Sequence, residues 1–268
     1  MQLKILSLDN QEVGKKELPT QFNEAVRADM IKRAVEVIQS RKRQPYGADP
    51  EAGKRSSAKL SRRRRKYRGS YGIGISRVPR KILSRRGTRM NWVGAFAPGT
   101  VGGRNAHPPK ASKIWSKLIN KKERKKAIRS ALSAVVIPEI VKQHGYVIPD
   151  NYPFIIENKF EELKKTKEVI QILVRLGFSK DLERAEKKNI RAGMGKSRGR
   201  KYKIKTSILL VVSKKSTVMD AAANIAGVDI VEVKNLNCEL LAPGAVPGRA
   251  TLFTEDSISL LEKNKLFQ

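Results

Sequence analysis

The sequence is poor in the residues that build catalytic and metal sites. It has one cysteine, Cys238, and two histidines, His107 and His144, in 268 residues. A lone cysteine cannot form an internal disulfide, which favours a reducing compartment such as the cytoplasm. No Cys–His or Ser–His–Asp arrangement is suggested, and these three side chains are a poor set of metal ligands. We therefore expect no catalytic residues, no metal, no cofactor and no enzymatic activity.

Carboxylates are missing from two long segments. Residues 52–122 contain 21 Lys or Arg and no Asp or Glu, and residues 187–205 contain nine Lys or Arg and no acid. The formal net charge of +32 is therefore concentrated in these segments. A net charge this large and this localised gives information about the binding partner and not about the fold. It predicts that the partner is a dense polyanion.

Long apolar runs are absent as well. The longest, such as "SILLVVS" at 207–213, are too short to cross a bilayer. The basic stretch lacks the apolar helical face that an interfacial helix needs. The N-terminus "MQLKILSLDNQE" alternates like a strand and soon meets acidic residues, so we expect no signal peptide. These features favour nucleic acid over a membrane as the polyanion.

The remaining patterns alternate between strands and helices. Leu3, Ile5 and Leu8 predict a first strand, followed by a turn near Gly14 and Pro19 and then a helix that ends near Arg43. Later strands are predicted at "PFIIE", "SILLVVS", "VDIVEV" and the start of "TLFTEDSISLLEKN". This order is typical of an α/β fold with a doubly wound, mainly parallel sheet.

The helices of the second half carry their own boundary signals. "NKKERKKAIRSALSAVV" predicts one helix that ends near Gly145. "KTKEVIQILVRLG" predicts another, with Thr166 as N-cap and Gly177 as its C-terminal stop.

No hydrophobic period survives in residues 44–112, where apolar residues are scattered among Gly, Pro and Ser. So long an irregular stretch indicates a functional arm or disorder. The predicted organisation is a globular α/β domain of residues 1–43 and 113–268, with an extended basic loop of residues 44–112 inserted after the first helix. Without a partner this loop should be disordered.

Two glycine motifs resemble nucleotide-binding loops only superficially. "GMGKS" at 193–197 has Ile190 where a phosphate loop requires glycine, and "GIGIS" at 72–76 is followed by Arg77 instead of a third glycine. Glycines among arginines instead allow close backbone approach to phosphates. Irregular segments of this composition suit folded RNA better than uniform duplex DNA. Several aromatics near the cations are candidates for stacking on bases: Tyr46, Tyr67, Tyr71, Trp92, Phe96, Trp115 and Tyr202.

Three blocks carry a family resemblance: "GRNAHPPKASKIWSKLINKKERKKAIRSALSA", "RAGMGKSRGRKYK" and "LAPGAVPGRATLFTEDSI". They resemble the archaeal and eukaryotic branch of the family of the universal fourth protein of the large ribosomal subunit, from Met1 to about Leu261. The chain stops at Gln268 without a long C-terminal extension, which favours an archaeal member.

The resemblance implies a structural constituent of the large subunit in the cytoplasm, with large-subunit rRNA, neighbouring ribosomal proteins and the nascent polypeptide as partners. A long loop of the family threads into the rRNA and helps form the narrow part of the peptide exit tunnel. The rRNA-binding residues are then expected to be Arg62, Arg63, Arg64, Arg65, Lys66, Arg68, Arg77, Arg80, Lys81, Arg85, Arg86, Arg89, Arg104, His107, Lys110, Arg191, Lys196, Arg198, Arg200, Lys201 and Tyr202. The tip facing the tunnel is expected at Gly72, Ile73, Gly74, Ser76 and Val78.

Two other classes remain open on the sequence. An RNA-modifying enzyme, such as a methyltransferase with a basic docking arm, would need a glycine-rich loop after its first strand. Here that strand is followed by "DNQEVGKKELP". A chromatin-like DNA binder would match the charge but leaves the glycines of the arm and the α/β domain unexplained.

Overall fold

A computed structural model describes residues 1–268, which form two compact units. The first, called here the α/β unit, comprises Met1–Lys42 and Ser116–Gln268. The second, called here the basic unit, is Arg43–Trp115. None of the helices has the length and apolar character needed to span a bilayer.

The regular elements include the strands and helices that the alternating patterns indicated and several that they did not. The strands are β1 Gln2–Leu6, β2 Glu12–Glu17, β3 Arg80–Arg86, β4 Arg89–Gly94, β5 Phe154–Ile156, β6 Asn189–Ile190, β7 Tyr202–Lys203, β8 Leu209–Val212, β9 Asp229–Glu232 and β10 Thr251–Thr254. The helices are α1 Ala28–Lys42, α2 Lys121–Val136, α3 Pro138–Gln143, α4 Thr166–Arg175, α5 Ser179–Glu186, α6 Thr217–Ala222, α7 Cys238–Leu241 and α8 Glu255–Lys263.

A six-stranded sheet in the order β2-β1-β5-β10-β8-β9 forms the centre of the α/β unit. All neighbouring strands run parallel except β2, which pairs antiparallel with β1. Each face of the sheet is covered by its own hydrophobic core. In β8, Leu209 and Val211 belong to one core while Leu210 and Val212 belong to the other, because successive side chains of a strand point to opposite faces. The predicted α/β class with a mainly parallel sheet is confirmed.

The N-terminal region differs from its prediction. Where a turn was expected, "EVGKKE" forms the edge strand β2. Its side chains are mostly exposed and charged, which protects a sheet edge from further pairing but removes the apolar alternation that identifies a strand. Leu8 does not share a face with Leu3 and Ile5, since it lies beyond the strand in a turn and packs on the opposite core.

The helix ends are set by local backbone chemistry. The single helix predicted up to Gly145 is two helices, because Pro138 forces the preceding Ile137 into an extended conformation with φ −93° and ψ 106°. Thr166 is the first residue of α4 instead of its N-cap, which is Lys165. Gly177 does end this region as predicted, at φ +93°, a conformation that glycine adopts readily.

The basic unit is built around a hairpin that the sequence did not reveal. Strands β3 and β4 pair antiparallel from Arg80↔Gly94 to Arg86↔Arg89. The expectation that residues 44–112 have no regular structure is therefore wrong over 80–94. Apart from the hairpin the unit is mainly turns and bends, and Ser70 and Ala95 are its only buried residues. The basic unit thus has no hydrophobic core of its own.

Candidate nucleic-acid interface

The basic unit presents its cations to solvent. Residues 62–66, four arginines and a lysine, are all exposed, as are Arg77, Arg85, Arg86 and Arg89. Arg68, Arg80, Lys81 and Arg104 are half-buried, while His107 and Lys110 are exposed. Their positive charge is therefore available to a partner along most of the unit.

These cations also lack negative partners within the protein. The rRNA-binding residues expected from the sequence include 14 Lys or Arg in residues 62–110 and five in residues 191–201. None of the 19 forms an ion pair with a carboxylate. Like charges at this density repel one another, and no carboxylate offsets that repulsion. A bound polyanion would therefore stabilise this surface.

The segment between Ser70 and the hairpin forms an open loop. Gly72 and Gly74 have φ of +77° and +70°, which L-residues rarely adopt, and a Cβ at either position would contact nothing. Backbone conformation, not crowding, therefore explains these glycines. Arg80 Nη2 donates to the carbonyl oxygen and to Oγ of Ser76, each at 3.1 Å, and so anchors one end of the loop. Ile73, between these glycines, has 55% of its surface exposed.

A second basic element lies in the α/β unit between α5 and β8. Strands β6 and β7 form a small antiparallel hairpin around a loop of glycines and cations. Arg191 supports this loop from within, because its Nε donates to Arg200 O at 3.0 Å and its Nη2 to Tyr202 O at 3.2 Å. The other four cations expected here, together with Tyr202, are exposed: Lys196, Arg198, Arg200 and Lys201.

Outside the second basic element, the α/β unit contains three buried charged residues. Their burial was not predicted from the sequence. Arg249 is fully buried. Its Nε donates to Ser207 O at 2.7 Å, and its Nη2 lies 2.6 Å from Asp229 Oδ2. It also donates to the carbonyl oxygens of Leu240 and Gly227, so one side chain joins the starts of β8 and β9 to α7.

Two buried carboxylates act in the same structural way. Glu161 accepts from the backbone nitrogen and hydroxyl of Ser213 and from Thr254 Oγ1, at 2.6–2.8 Å. Asp181 accepts from Ser207 Oγ at 2.5 Å and pairs with Arg184 at 2.8 Å. Carboxylates beside lysines in a helix usually lie on its solvated face, but these two are buried. Nothing in their sequence surroundings distinguishes them from the exposed ones.

No group of three or more His, Cys, Asp or Glu side chains in residues 1–268 is placed to hold a metal ion. Cys238 is buried, and desolvation raises the pKa of its thiol to about 12, so it is not a thiolate at neutral pH. His144 follows α3, where partial burial lowers its pKa, and it packs edge-on against Tyr146 with ring centroids 5.1 Å apart. These geometries are structural.

Two exposed, carboxylate-free basic surfaces with interleaved aromatics, on a protein without a catalytic constellation, define a nucleic-acid-binding protein. The family model described as "Ribosomal protein L4/L1 family" matches residues 16–264. The chain belongs to this family, as its three sequence blocks indicated.

Individual relatives agree over almost the whole chain. The chain is 50% identical to the large ribosomal subunit protein uL4 of Nanoarchaeum equitans, over 100% of both chains. It is 44% identical to the protein of that name from Archaeoglobus fulgidus, over 97% of this chain and 98% of the relative. The corresponding protein of Methanocaldococcus jannaschii is 43% identical, over 98% of this chain and 99% of the relative. The chain is thus an archaeal-type member of a family of structural ribosomal proteins, and the alternative of an RNA-modifying enzyme is wrong.

Proposed function

We propose that this protein is a structural constituent of the cytoplasmic large ribosomal subunit that binds large-subunit rRNA through the basic unit and the second basic element. The observation that carries the proposal is the set of 19 Lys and Arg side chains without a single carboxylate partner. Unpaired cations occur elsewhere on the chain as well, but these 19 lie within residues 52–122 and 187–205, which contain no Asp or Glu. They are the natural contacts for phosphates.

The basic unit has many cations and few buried apolar residues. This composition is explained if contacts with rRNA stabilise the unit in place of a hydrophobic core. A segment of 73 residues with two buried side chains gains little from its own packing, whereas ordering its backbone costs about 1–2 kcal/mol per residue. Phosphate contacts and stacking supply the missing stabilisation when RNA surrounds the chain. In this proposal residues 44–112 act as an extended rRNA-binding loop inserted into the α/β domain of residues 1–43 and 113–268.

Binding to rRNA is tested with the purified full-length chain and a transcript of archaeal large-subunit rRNA. The comparison variant replaces Arg62, Arg63, Arg64 and Arg65 with glutamine, since these side chains are exposed and make no ion pairs. We expect tight binding by the natural sequence and a clear loss by the variant. Equal affinity for the transcript and for random duplex DNA would refute RNA recognition and favour a general DNA binder.

At the tip of this loop, Gly72, Ile73, Gly74, Ser76 and Val78 are proposed to face the peptide exit tunnel. Support comes from the open, glycine-containing loop and from the paucity of charge between Tyr71 and Ser76. A photoreactive side chain at Ser76 or Val78 of the assembled ribosome should crosslink to a stalled nascent chain, and one at Ser259 in α8 should not. If the tip crosslinks only to rRNA, the proposed tunnel-facing role is refuted and the loop serves only as an rRNA anchor.

A further inference from the structure

A cavity of about 410 Å³ lies within the basic unit, between a tight turn and the β3–β4 hairpin. Its apolar wall is formed by Tyr67, Ile73, Met90 and Trp92. Ligand pockets span about 300–1,000 Å³, so this cavity suits one small planar group but not a stretch of nucleic-acid helix.

The backbone explains why these side chains meet. Met90 and Trp92 are two residues apart in β4 and therefore lie on one face of the hairpin, where they are half-buried while their neighbours are exposed. The turn is fixed by Gly69 N donating to Lys66 O and Ser61 N donating to Arg68 O, both at 2.9 Å. The turn thus holds Tyr67 in the wall of the cavity.

Arginines surround this apolar wall. Arg85 Nη1 donates to Tyr67 Oη at 3.1 Å, and its guanidinium carbon lies 5.1 Å from the centroid of the Tyr67 ring. Arg65 and Arg68 complete the cationic side of the cavity. No carboxylate occurs anywhere in residues 52–122, so the charge of the cavity is uniformly positive.

The guanidinium carbon of Arg68 lies 5.6 Å from the centroid of the Tyr67 ring. The cavity therefore combines an aromatic stacking surface with cations for a phosphate.

We propose that this cavity receives one unstacked nucleobase of the rRNA, which stacks against Tyr67 while the flanking phosphates contact Arg65 and Arg68. This inference rests on the proposed function and goes beyond it. It adds a specific contact with one base to the general attraction between cations and phosphates. A single-stranded or bulged nucleotide is the ligand, since both faces of a base inside a helix are covered by its stacked neighbours.

The first test compares two exposed side chains of the basic unit. Tyr67→Ala removes the stacking surface, whereas Leu83→Ala removes an exposed side chain of β3 that does not line the cavity. Loss of one base–aromatic stack weakens binding about tenfold, so we expect that loss for Tyr67→Ala, little change for Leu83→Ala, and recovery by Tyr67→Phe. The salt dependence of binding should stay unchanged in Tyr67→Ala, since no phosphate contact is removed.

The second test identifies the base. A photoreactive phenylalanine at position 67 should crosslink to a single rRNA nucleotide, mapped by a reverse-transcription stop. An abasic residue at that nucleotide keeps the phosphates; it should weaken binding about tenfold for the natural sequence and leave Tyr67→Ala unaffected.

The outcomes separate the two proposals. If the natural chain binds rRNA and the abasic change has no effect, or crosslinks scatter over many nucleotides, the base-binding cavity is refuted while the rRNA-binding function stands. Occupancy of the cavity by free adenosine monophosphate with affinity equal to that of the rRNA would likewise overturn the inference, since it would show a mononucleotide site. Failure of the natural chain to bind the transcript at all would refute the function itself.

Discussion

The second basic element gives a quantitative prediction about the salt dependence of rRNA binding. We would replace Lys196, Arg198, Arg200 and Lys201 with glutamine and leave Arg191 in place. The four side chains are exposed and have no carboxylate partners. Arg191 is kept because its hydrogen bonds to Arg200 O and Tyr202 O hold the loop. The substitution thus removes charge without removing the scaffold.

Its magnitude follows from counterion release. Each phosphate contact contributes about 0.7–0.9 to the slope of log affinity against log salt, so four lost contacts flatten the slope by about 3. Between 50 and 200 mM salt, a fourfold change, the natural chain should therefore lose about 60-fold more affinity than the variant loses. At low salt the variant should bind more weakly than the natural chain.

The assay is equilibrium binding to the rRNA transcript at several salt concentrations between these limits. A matched control removes four exposed cations from ion pairs elsewhere on the α/β unit, replacing Lys4, Lys159, Lys165 and Arg175 with glutamine. It changes the net charge equally but should leave the slope close to that of the natural chain. If the two variants have equal slopes, only total charge matters and the second element makes no local contact.

Three further predictions concern the free protein. Trypsin should cut first within residues 62–89, because this segment has no core, and rRNA should protect it; first cuts in α2 or α8 would contradict this. Arg249→Met should lower the free energy of unfolding by at least about 1–3 kcal/mol, because it leaves the buried carbonyl oxygen of Ser207 without its donor. Unfolding is followed by far-UV circular dichroism, because both tryptophans lie in the basic unit. The exposed pair variant Arg175→Met should cost less than about 1 kcal/mol, and an equal effect of the two substitutions would contradict a structural role for buried Arg249. Iodoacetamide at pH 8 should leave Cys238 unmodified until the chain unfolds, since burial raises its pKa to about 12, and rapid labelling of the native protein would contradict this.

The parts of the fold that could be predicted are those whose hydrophobic pattern is visible. A strand was predicted at "SILLVVS", and all four residues of β8 are buried, as a continuous apolar run indicates. A strand was also predicted at the start of "TLFTEDSISLLEKN", and β10 forms there, followed by α8 with Glu255 and Asp256 in its first turn. In both cases local pattern and tertiary role agree.

The parts that were missed depend on partners distant in sequence. The strands β2 and β3 are rich in Lys, Arg and Glu, so their pairing with β1 and β4 leaves little apolar signal. Arg249 is buried only because carbonyl groups of three other segments converge on it. The cavity beside Tyr67 likewise requires a turn and a hairpin to meet. Such arrangements follow from the assembled fold and not from local periodicity.

The basic segments are easier to recognise in the sequence than the fold around them, because charge needs no periodicity to be recognised, and their contacts with rRNA stay a prediction. Segments without carboxylates are visible in the sequence whatever structure they adopt. The sequence did not show which cations stabilise the loop and which are free to bind a partner. Arg191 and Lys196 look alike in "IRAGMGKS", yet only Arg191 donates hydrogen bonds to the backbone of its own loop.

The central claim, a structural role in the large ribosomal subunit, is tested most directly by sedimentation. A lysate of cells expressing the tagged full-length chain would be separated on sucrose gradients at moderate and at high salt, beside the variant with glutamine at Arg62, Arg63, Arg64 and Arg65. The account predicts that the natural chain migrates with large subunits in a salt-resistant manner, and that the variant is depleted from them. Recovery of the natural chain only in the soluble fractions at the top of the gradient would contradict the account.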